Sequence, residues 1–465
     1  MRITPVLLVL AIAAPWFPTA AQHTARTDVV ARLDSLADDF VRNAPAAGAT
    51  FAVVHHGDTL LLRGAGEKDR ERHLSADRQT VYRLGSLTKQ FTSAAIMRLV
   101  ESGRLHLTDT LGVLLPEYPQ WSHVTLRQLL NHTSGIHSYT SNEAWAATWN
   151  NDLTPAQIVE FVVKDTFDFA PGTRYRYNNT GYVLLGAVLE RVTGRPYAEH
   201  LTETFFSPLG MRSAVYCPSR MTDPGHAAGY ALSKGELSPA VYLSMSHPFS
   251  AGALCMSVPD FLRWQSALRD GRVLKPATYA LMSASDTTSN GTRTGYGFGL
   301  ASGRLGTHAI VRHGGAVNGF NTSELWFPDD SLQVVVFANT AGSNPDLVAS
   351  NMASAVLGVP LQSRPVPLAA LSLAAADRAK YDGTYDLALP NGAVLPLKIW
   401  VDGDALVSQA EGPGQGKIVL RYLGKDTFGA DFDPSLRITI MFENGKSARA
   451  RLTQGGGSIE GSRRP

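Results

Sequence analysis

Ser86 and Lys89 are the first residues of this sequence whose types and spacing suit covalent chemistry. They stand three positions apart at the start of an apolar stretch, predicted to be a helix that runs to about Ser102. Residues three apart on a helix share one face. A serine hydroxyl becomes a good nucleophile when a nearby base takes its proton, and lysine can be that base only if its pKa falls from about 10.4. Taken alone, the pair also fits an ordinary helix start with a surface lysine.

Tyr177 and Asn179 form a second candidate group, in a loop that follows Pro171-Gly172 and precedes a predicted helix. A loop in this place can hold a phenol and an amide over a pocket. Tyr177 could then exchange a proton with Ser86, and Asn179 could hydrogen-bond a substrate carbonyl. The same stretch also fits a helix N-cap beside a packed tyrosine.

The third candidate group is His313-Gly314-Gly315-Ala316, at the end of a predicted strand. Glycines let a substrate lie close against a strand edge. The backbone N–H of Ala316 could therefore join that of Ser86 in polarising a carbonyl, as an oxyanion hole. His313 would lie beside the pocket. A strand bulge with an exposed histidine is the alternative interpretation.

In this order along the chain, the three groups resemble the serine beta-lactamase and penicillin-binding protein superfamily, in particular its class C-like branch of esterases and D-aminopeptidases. That family carries Ser-x-x-Lys, then Tyr-x-Asn, then Lys/His-x-Gly. The short motifs at residues 131–135 and 251–254 also resemble those of the family. The resemblance covers residues 27–358. It implies that Ser86 is the acylated nucleophile, Lys89 and Tyr177 a coupled proton-transfer pair, Asn179 a substrate amide clamp, and His313 a neighbour of the leaving group or substrate carboxylate.

His313 departs from most lactamases and transpeptidases, which have a lysine there as a fixed cation for a substrate carboxylate. A histidine with a pKa near 6.5 is mostly neutral at pH 7. We therefore predict a serine hydrolase that acts on a small ester or amide, as a carboxylesterase or a D-amino-acid-type peptidase. The alternatives are a β-lactamase or penicillin-binding carboxypeptidase, and a non-catalytic envelope binding protein, although a pure binder has no need of Lys89.

Composition limits the possible partners. The 465 residues carry 42 Lys and Arg against 40 Asp and Glu, and 18% are charged, so nothing points to nucleic acid. We expect a small-molecule or short-peptide substrate and no cofactor. Cys217 and Cys255 are too few ligands for a metal site without a nearby histidine pair. They could form one disulfide or remain two buried thiols.

The N-terminus predicts export. Arg2 precedes an apolar run at positions 6–14, followed by Pro15 and Thr19-Ala20-Ala21, a pattern typical of a secretory signal peptide over residues 1–21. The apolar run is too short to span a bilayer, and no later stretch of about 20 apolar residues follows. We expect a secreted or periplasmic protein with no transmembrane span in the mature chain.

Hydrophobic periodicity predicts the elements that must position these groups, in an α+β domain over residues 27–358. One mixed antiparallel sheet would combine the first hairpin with the late strands, and helices would lie between them. The predicted strands lie at 50–55, 59–63, 296–300, 308–313, 321–327 and 332–338, and the predicted helices at 27–46, 86–102, 155–164, 180–192 and 346–357.

A second domain is predicted after a proline-containing linker at residues 359–376. Residues 377–465 are nearly all short apolar runs separated by Gly, Asp and Asn turns, which favours a small antiparallel barrel or sandwich. This segment resembles the lipocalin-like domains that some members of the superfamily carry. Its predicted strands lie at 383–389, 394–401, 405–410, 417–422, 437–443 and 447–452.

Overall fold

A computed structural model describes residues 20–43, 46–218, 223–233, 236–362, 371–389, 394–410, 417–430, 433–454 and 457–464. The chain divides into two compact units, Met1–Leu361 and Gln362–Pro465. Nearly all of the predicted signal peptide and positions 363–370 of the predicted linker lie outside the described residues, so both stay predictions. Among the described residues we find no helix with both the length and the apolarity needed to cross a bilayer.

The helices of the first unit include the five predicted ones, with shifted ends. The α-helices are α1 (Ala20–Asn43), α2 (Thr88–Glu101), α3 (Leu111–Leu114), α4 (Leu126–Leu130), α5 (Pro155–Glu160), α6 (Asn179–Thr193), α7 (Tyr197–Leu201), α8 (Phe249–Gly252), α9 (Val258–Arg269), α10 (Pro276–Ser283) and α11 (Pro345–Leu357). Short 3-10 helices lie at Gly85–Leu87, Pro119–Trp121, Tyr139–Ser141 and Glu143–Thr148, and a π-helical turn at Thr202–Phe206.

The strands of the first unit form one large sheet and two small ones. They are β1 (Gly48–His55), β2 (Asp58–Asp69), β3 (Leu74–Ser75), β4 (Tyr82–Arg83), β5 (Val215–Tyr216), β6 (Tyr230–Ser233), β7 (Glu236–Pro239), β8 (Leu254–Met256), β9 (Ala301–Leu305), β10 (His308–Val317), β11 (Phe320–Phe327), β12 (Leu332–Ala338) and β13 (Thr340–Ala341). The large sheet has the order β3-β2-β1-β12-β11-β10-β9. The predicted α+β sheet of the first hairpin and the late strands is thus confirmed.

Helices cover both faces of the central strands, which explains why β12 is buried along its whole length. Val334 and Val336 face one side and pack in the same core as Phe40 of α1 and Met352 of α11. The alternate residues Val335 and Phe337 face the other side, where the larger core contains α2, α6 and α9. The reactive end of α2 therefore lies between the sheet and the helical region.

The predicted strand at 296–300 is wrong. This segment is irregular, apart from a single bridge between Tyr296 and Ala301. Its alternating pattern has another cause: Tyr296, Phe298 and Leu300 are buried, while the intervening glycines let the backbone pass close to its neighbours. A Cβ on Gly299 would lie 2.7 Å from the carbonyl oxygen of Lys89. The segment is therefore a packed loop against the start of α2.

Cys217 and Cys255 form a disulfide, which resolves the alternatives left open by the sequence. Cys255 belongs to β8, the middle strand of the small sheet β4-β8-β5. It pairs with Arg83 of β4, three residues before Ser86. The crosslink therefore braces the strand that leads into the candidate nucleophile.

The second unit is the predicted all-β domain. Its helical segments are α12 (Ala375–Arg378) and a 3-10 turn at Ala379–Tyr381, and its strands are β14 (Gly383–Ala388), β15 (Val394–Asp402), β16 (Ala405–Ala410), β17 (Ile418–Val419), β18 (Arg421–Gly424), β19 (Thr427–Ala430), β20 (Asp433–Glu443), β21 (Lys446–Gln454) and β22 (Gly457–Arg463). They form a nine-stranded, nearly closed barrel in the order β17-β16-β15-β14-β22-β21-β20-β19-β18. The predictions missed β19 and β22, and one predicted strand is divided into β17 and β18.

Candidate active site

Ser86 lies in the 3-10 turn Gly85–Leu87, immediately before the first residue of α2. The predicted helix thus begins as a tighter turn, which presents the serine at the edge of the helix. Gly85 has φ +55, a conformation that favours glycine. The preceding residue, Leu84, is held on both sides: its N–H donates to the Leu254 carbonyl, and its carbonyl accepts from Thr322 Oγ1 at 2.8 Å. These contacts fix the approach of the chain to the serine.

Lys89 is fully buried, and its Nζ lies 3.0 Å from Ser86 Oγ. Burial lowers the pKa of this amine well below its usual value, because desolvation disfavours the charged form. A neutral amine has two N–H donors and one lone pair. In the neutral form that the lowered pKa favours, the donors bond to Asn179 Oδ1 at 2.9 Å and the Ala251 carbonyl at 2.8 Å, which leaves the lone pair to accept the Ser86 proton.

Tyr177 lies beside this pair, with its ring centroid 4.8 Å from Lys89 Nζ. Its hydroxyl oxygen is buried and has no hydrogen-bond partner of normal geometry among the described residues. Burial raises the pKa of this phenol well above 10, and the neighbouring Ser86 hydroxyl opposes part of the rise. The phenol therefore carries its proton at neutral pH, which suits a group that donates a proton to a leaving group.

The sequence left open whether this stretch forms a helix N-cap or contributes a polar group to the site. In the structure, Asn178 has the first role and Asn179 the second. Asn178 is the N-cap of α6, and its side chain accepts from the Gly181 N–H. Asn179, the first residue of the helix, turns Oδ1 toward Lys89 and places Nδ2 3.3 Å from Thr140 Oγ1. The cap thus fixes the helix start that brings the amide to the amine.

His313 is buried, and both ring nitrogens are occupied. The Tyr296 hydroxyl lies 2.8 Å from Nε2, and Nδ1 lies 2.5 Å from the Gly314 carbonyl. Since a carbonyl only accepts, Nδ1 carries the proton and Nε2 accepts from the phenol. Burial, with Lys89 and Arg312 adding to its effect, lowers the pKa of His313 to about 3. The imidazole is therefore neutral at pH 7 and supplies no cation for a carboxylate.

Gly315 brings β10 into direct contact with the turn that carries Ser86. A Cβ at Gly315 would lie 1.9 Å from the Leu84 carbonyl oxygen and 2.3 Å from Thr322 Oγ1. One residue further, the Ala316 nitrogen lies 2.8 Å from where a Cβ on Gly85 would be. The Ala316 nitrogen thus lies close to the turn that carries Ser86, which is consistent with the oxyanion hole predicted for these two N–H groups.

Substituting Gly315 by alanine is expected to lower kcat/KM by about 100-fold, because the added methyl must push β10 away from Leu84 and misplace the oxyanion donor. Overpacking should also cost about 1 to 3 kcal/mol of stability. Steady-state kinetics and thermal unfolding measure the two effects. Gly303→Ala on the adjacent strand β9 is the matched control, since no atom lies within 4 Å of its added Cβ. Equal behaviour of the two variants would contradict the proposed role of Gly315.

Two recesses meet at Ser86 and Ala316. One, of about 120 Å³, is lined largely by apolar and aromatic side chains and also by Asn179. The other, of about 410 Å³, is called the polar recess because most of its lining residues have polar side chains; it is also lined by Tyr177, His313, Gly314 and Gly315. A substrate can therefore extend to both sides of the serine. All eight site residues predicted from the sequence line or contact this cleft; they are Ser86, Lys89, Tyr177, Asn179, His313, Gly314, Gly315 and Ala316.

Sequence reasoning missed two rings that support the site. Tyr296 holds His313, and the ring of His132 lies 4.4 Å from that of Tyr177 and 4.6 Å from that of Tyr296. His132 Nδ1 accepts from the Asn178 N–H at 3.1 Å, so it also supports the cap of α6. The motif at residues 131–135 contains His132 and points to it, whereas the strand predicted at 296–300 does not indicate a role for Tyr296 in the site.

The unit that contains this cleft is similar to known proteins. Residues 33–358 fit the sequence family described as Beta-lactamase. The chain is 27% identical over 290 residues to the putative penicillin-binding protein PbpX of Bacillus subtilis (strain 168), across 62% of this chain and 70% of that protein. It is 26% identical over 343 residues to the D-aminopeptidase of Gluconobacter oxydans (strain 621H), across 71% of this chain. The match spans 63% of that enzyme, less than two thirds of its length.

A solved structure extends the likeness to most of the chain. The octameric penicillin-binding protein homologue from Pyrococcus abyssi superimposes with a TM-score of 0.66 and 26% sequence identity. The superposition covers 93% of this chain and 99% of that chain. The similarity is thus not confined to the unit that carries the cleft.

Proposed function

The chain belongs to the beta-lactamase family, and from that premise we propose that it hydrolyses amides and esters of small D-amino acids through an acyl-enzyme on Ser86. One observation carries the chemistry: the buried Lys89 amine, whose pKa burial lowers, lies 3.0 Å from the serine hydroxyl, and its two other polar contacts are with the acceptors Asn179 Oδ1 and the Ala251 carbonyl. An amine held in this way is a base directed at the serine.

The proposed reaction moves one proton from the serine to the leaving group. Lys89 takes the proton of Ser86 as Oγ bonds to the substrate carbonyl carbon, and the N–H groups of Ser86 and Ala316 stabilise the resulting oxyanion. Tyr177 gives a proton to the departing nitrogen or oxygen as the bond to carbon breaks. It regains one from Lys89, so the two residues act as a coupled pair. Water then attacks the acyl-enzyme, with the same groups working in reverse.

The two recesses support the substrate class. The apolar recess holds Tyr139, Trp145 and Leu243 beside Asn179, which suits an apolar or aromatic acyl group with one hydrogen-bonding carbonyl. The similarity to a D-aminopeptidase supports the D configuration. The neutral His313 argues against β-lactams, whose carboxylate would find no histidinium there.

A substrate panel tests the proposal. We expect turnover of D-phenylalanine amide and of p-nitrophenyl acetate, with D-phenylalanine amide preferred to its L enantiomer by at least about tenfold in kcat/KM, a difference of about 1.4 kcal/mol. A chromogenic cephalosporin should be hydrolysed far more slowly than either. Preference for the L amide, or rapid cephalosporin hydrolysis, would contradict the proposed substrate class while leaving the acyl-enzyme chemistry in place.

A further inference from the structure

We propose that Asp346 makes this site disfavour leaving groups that carry a carboxylate, so that the protein cleaves amides with neutral or cationic leaving amines faster than dipeptides with a free C-terminus. This inference rests on the proposed function, whose substrate class it narrows. Three features carry it: which recess receives the leaving group, which charges line that recess, and how the carboxylate is held.

The polar recess receives the leaving group. A general acid must lie on the side of the scissile bond from which the leaving group departs. Tyr177, the proposed proton donor, lines the polar recess together with Ser86, and the apolar recess has Asn179 instead. The acyl group therefore occupies the apolar recess.

Among the described residues that line the polar recess, Asp346 has a charged side chain. The other polar residues there include the neutral Asn321, Thr322, Ser343 and Asn344. His313 is the one other ionisable group there besides Tyr177, and both are uncharged at pH 7. A leaving group with a carboxylate would thus meet an anion and no cation.

The carboxylate of Asp346 has a fixed position. It stands in the first turn of α11, and its Oδ1 accepts from Ser323 Oγ, whose side chain is fully buried on β11. Its Oδ2 lies 4.0 Å from where a Cβ on Gly314 would be, so it faces the strand edge next to His313. Within the described part of the chain, no lysine, arginine or histidine forms an ion pair with Asp346, and its side chain is hydrogen-bonded to Ser323.

Because Asp346 is exposed to solvent, its effect on a bound charge is screened and moderate. Three substrates of nearly equal size measure it: D-phenylalanyl-glycine, D-phenylalanyl-glycinamide and D-phenylalanine N-(2-aminoethyl)amide, whose leaving amines are anionic, neutral and cationic. We expect wild-type kcat/KM to rise along this series, by about three- to tenfold between the anionic and neutral members at low salt. The difference should shrink as ionic strength rises.

Charge variants at position 346 link this preference to the residue. Asp346→Asn should bring the ratio of neutral to anionic kcat/KM close to one, and Asp346→Arg should favour D-phenylalanyl-glycine over its amide. Asp329→Arg, which makes the same charge change at an exposed position in the turn before β12, is the matched control and should keep the wild-type ratio.

The outcomes separate this inference from the proposed function. If the wild type hydrolyses none of the three D-phenylalanyl compounds and no D-phenylalanine amide, the proposed function fails. If it hydrolyses the neutral compound but shows no preference across the charge series, or if Asp346→Arg leaves the ratio at the wild-type value, the proposed function stands and the role of Asp346 is wrong.

Discussion

Replacing Ser86 by alanine is expected to lower kcat/KM by about 10⁴-fold or more, because the variant has no oxygen to form the acyl-enzyme. The change removes one hydroxyl group from a turn held by its neighbours, so the thermal midpoint should change little. Steady-state hydrolysis of D-phenylalanine amide or p-nitrophenyl acetate measures the loss. Because Ser86→Ala keeps both recesses intact, its loss of activity reports the chemical step and not substrate binding.

Covalent labelling checks the same residue independently of the substrate. A fluorophosphonate should add its mass to the wild type at Ser86 and leave Ser86→Ala unmodified. Ser343→Ala, which alters another serine that lines the polar recess, is the control and should be labelled like the wild type. Equal labelling of the wild type and Ser86→Ala would remove the acyl-enzyme hypothesis and favour a non-catalytic binding protein.

The site residues were predicted from the order of the short motifs, and no single motif would have been enough. Ser86, Tyr177 and His313 are far apart in sequence, and nothing in local periodicity shows that a sheet edge and two helices bring them together. Only their order along the chain, which resembles the order of the motifs in a known family, indicated that they belong to one site. Their contacts, in contrast, depend on tertiary packing: the Gly315 backbone against Leu84 is one example.

Hydrophobic periodicity predicted the long helices and strands. It failed where buried side chains alternate as in a strand but the backbone is not paired in a sheet. The segment at 296–300 alternates like a strand because its large residues are buried, yet Gly297 and Gly299 allow backbone contacts that a ladder would exclude. A Cβ on Gly297 would lie 2.2 Å from the Met282 carbonyl oxygen. The same segment contains Tyr296. Because the segment was wrongly predicted to be a strand, the contact between Tyr296 and His313 was not foreseen.

The protonation states at the site also could not be predicted from the sequence. Lysine and tyrosine have ordinary pKa values near 10 in water, and residue types alone do not reveal burial. Only the packing around Lys89 and Tyr177 lowers the pKa of the amine and raises that of the phenol. The opposite shifts assign the roles of base and acid at neutral pH.

Replacing Lys89 by methionine is expected to reduce kcat/KM by about 10³-fold, because a side chain of similar length fills the space but cannot take the Ser86 proton. Asn179 Oδ1 and the Ala251 carbonyl also lose their donor. Lys164→Met, at an exposed position, is the control for removal of a lysine charge and should retain wild-type kinetics. Activity of Lys89→Met within about tenfold of the wild type would exclude the amine as the main base.

The pH dependence of stability tests the neutral state of Lys89 without any substrate. The pKa of the amine is lowered in the folded protein and stands near 10.4 in the unfolded chain. Between these two values the unfolded state binds a proton that the folded state lacks, so stability rises with pH, by up to about 1.4 kcal/mol per pH unit. Lys89→Met lacks this contribution. The thermal midpoint of the wild type minus that of the variant should therefore become more positive from about pH 6 to about pH 9. A constant difference would mean that the amine is charged in the folded protein, and a charged amine has no lone pair with which to activate Ser86.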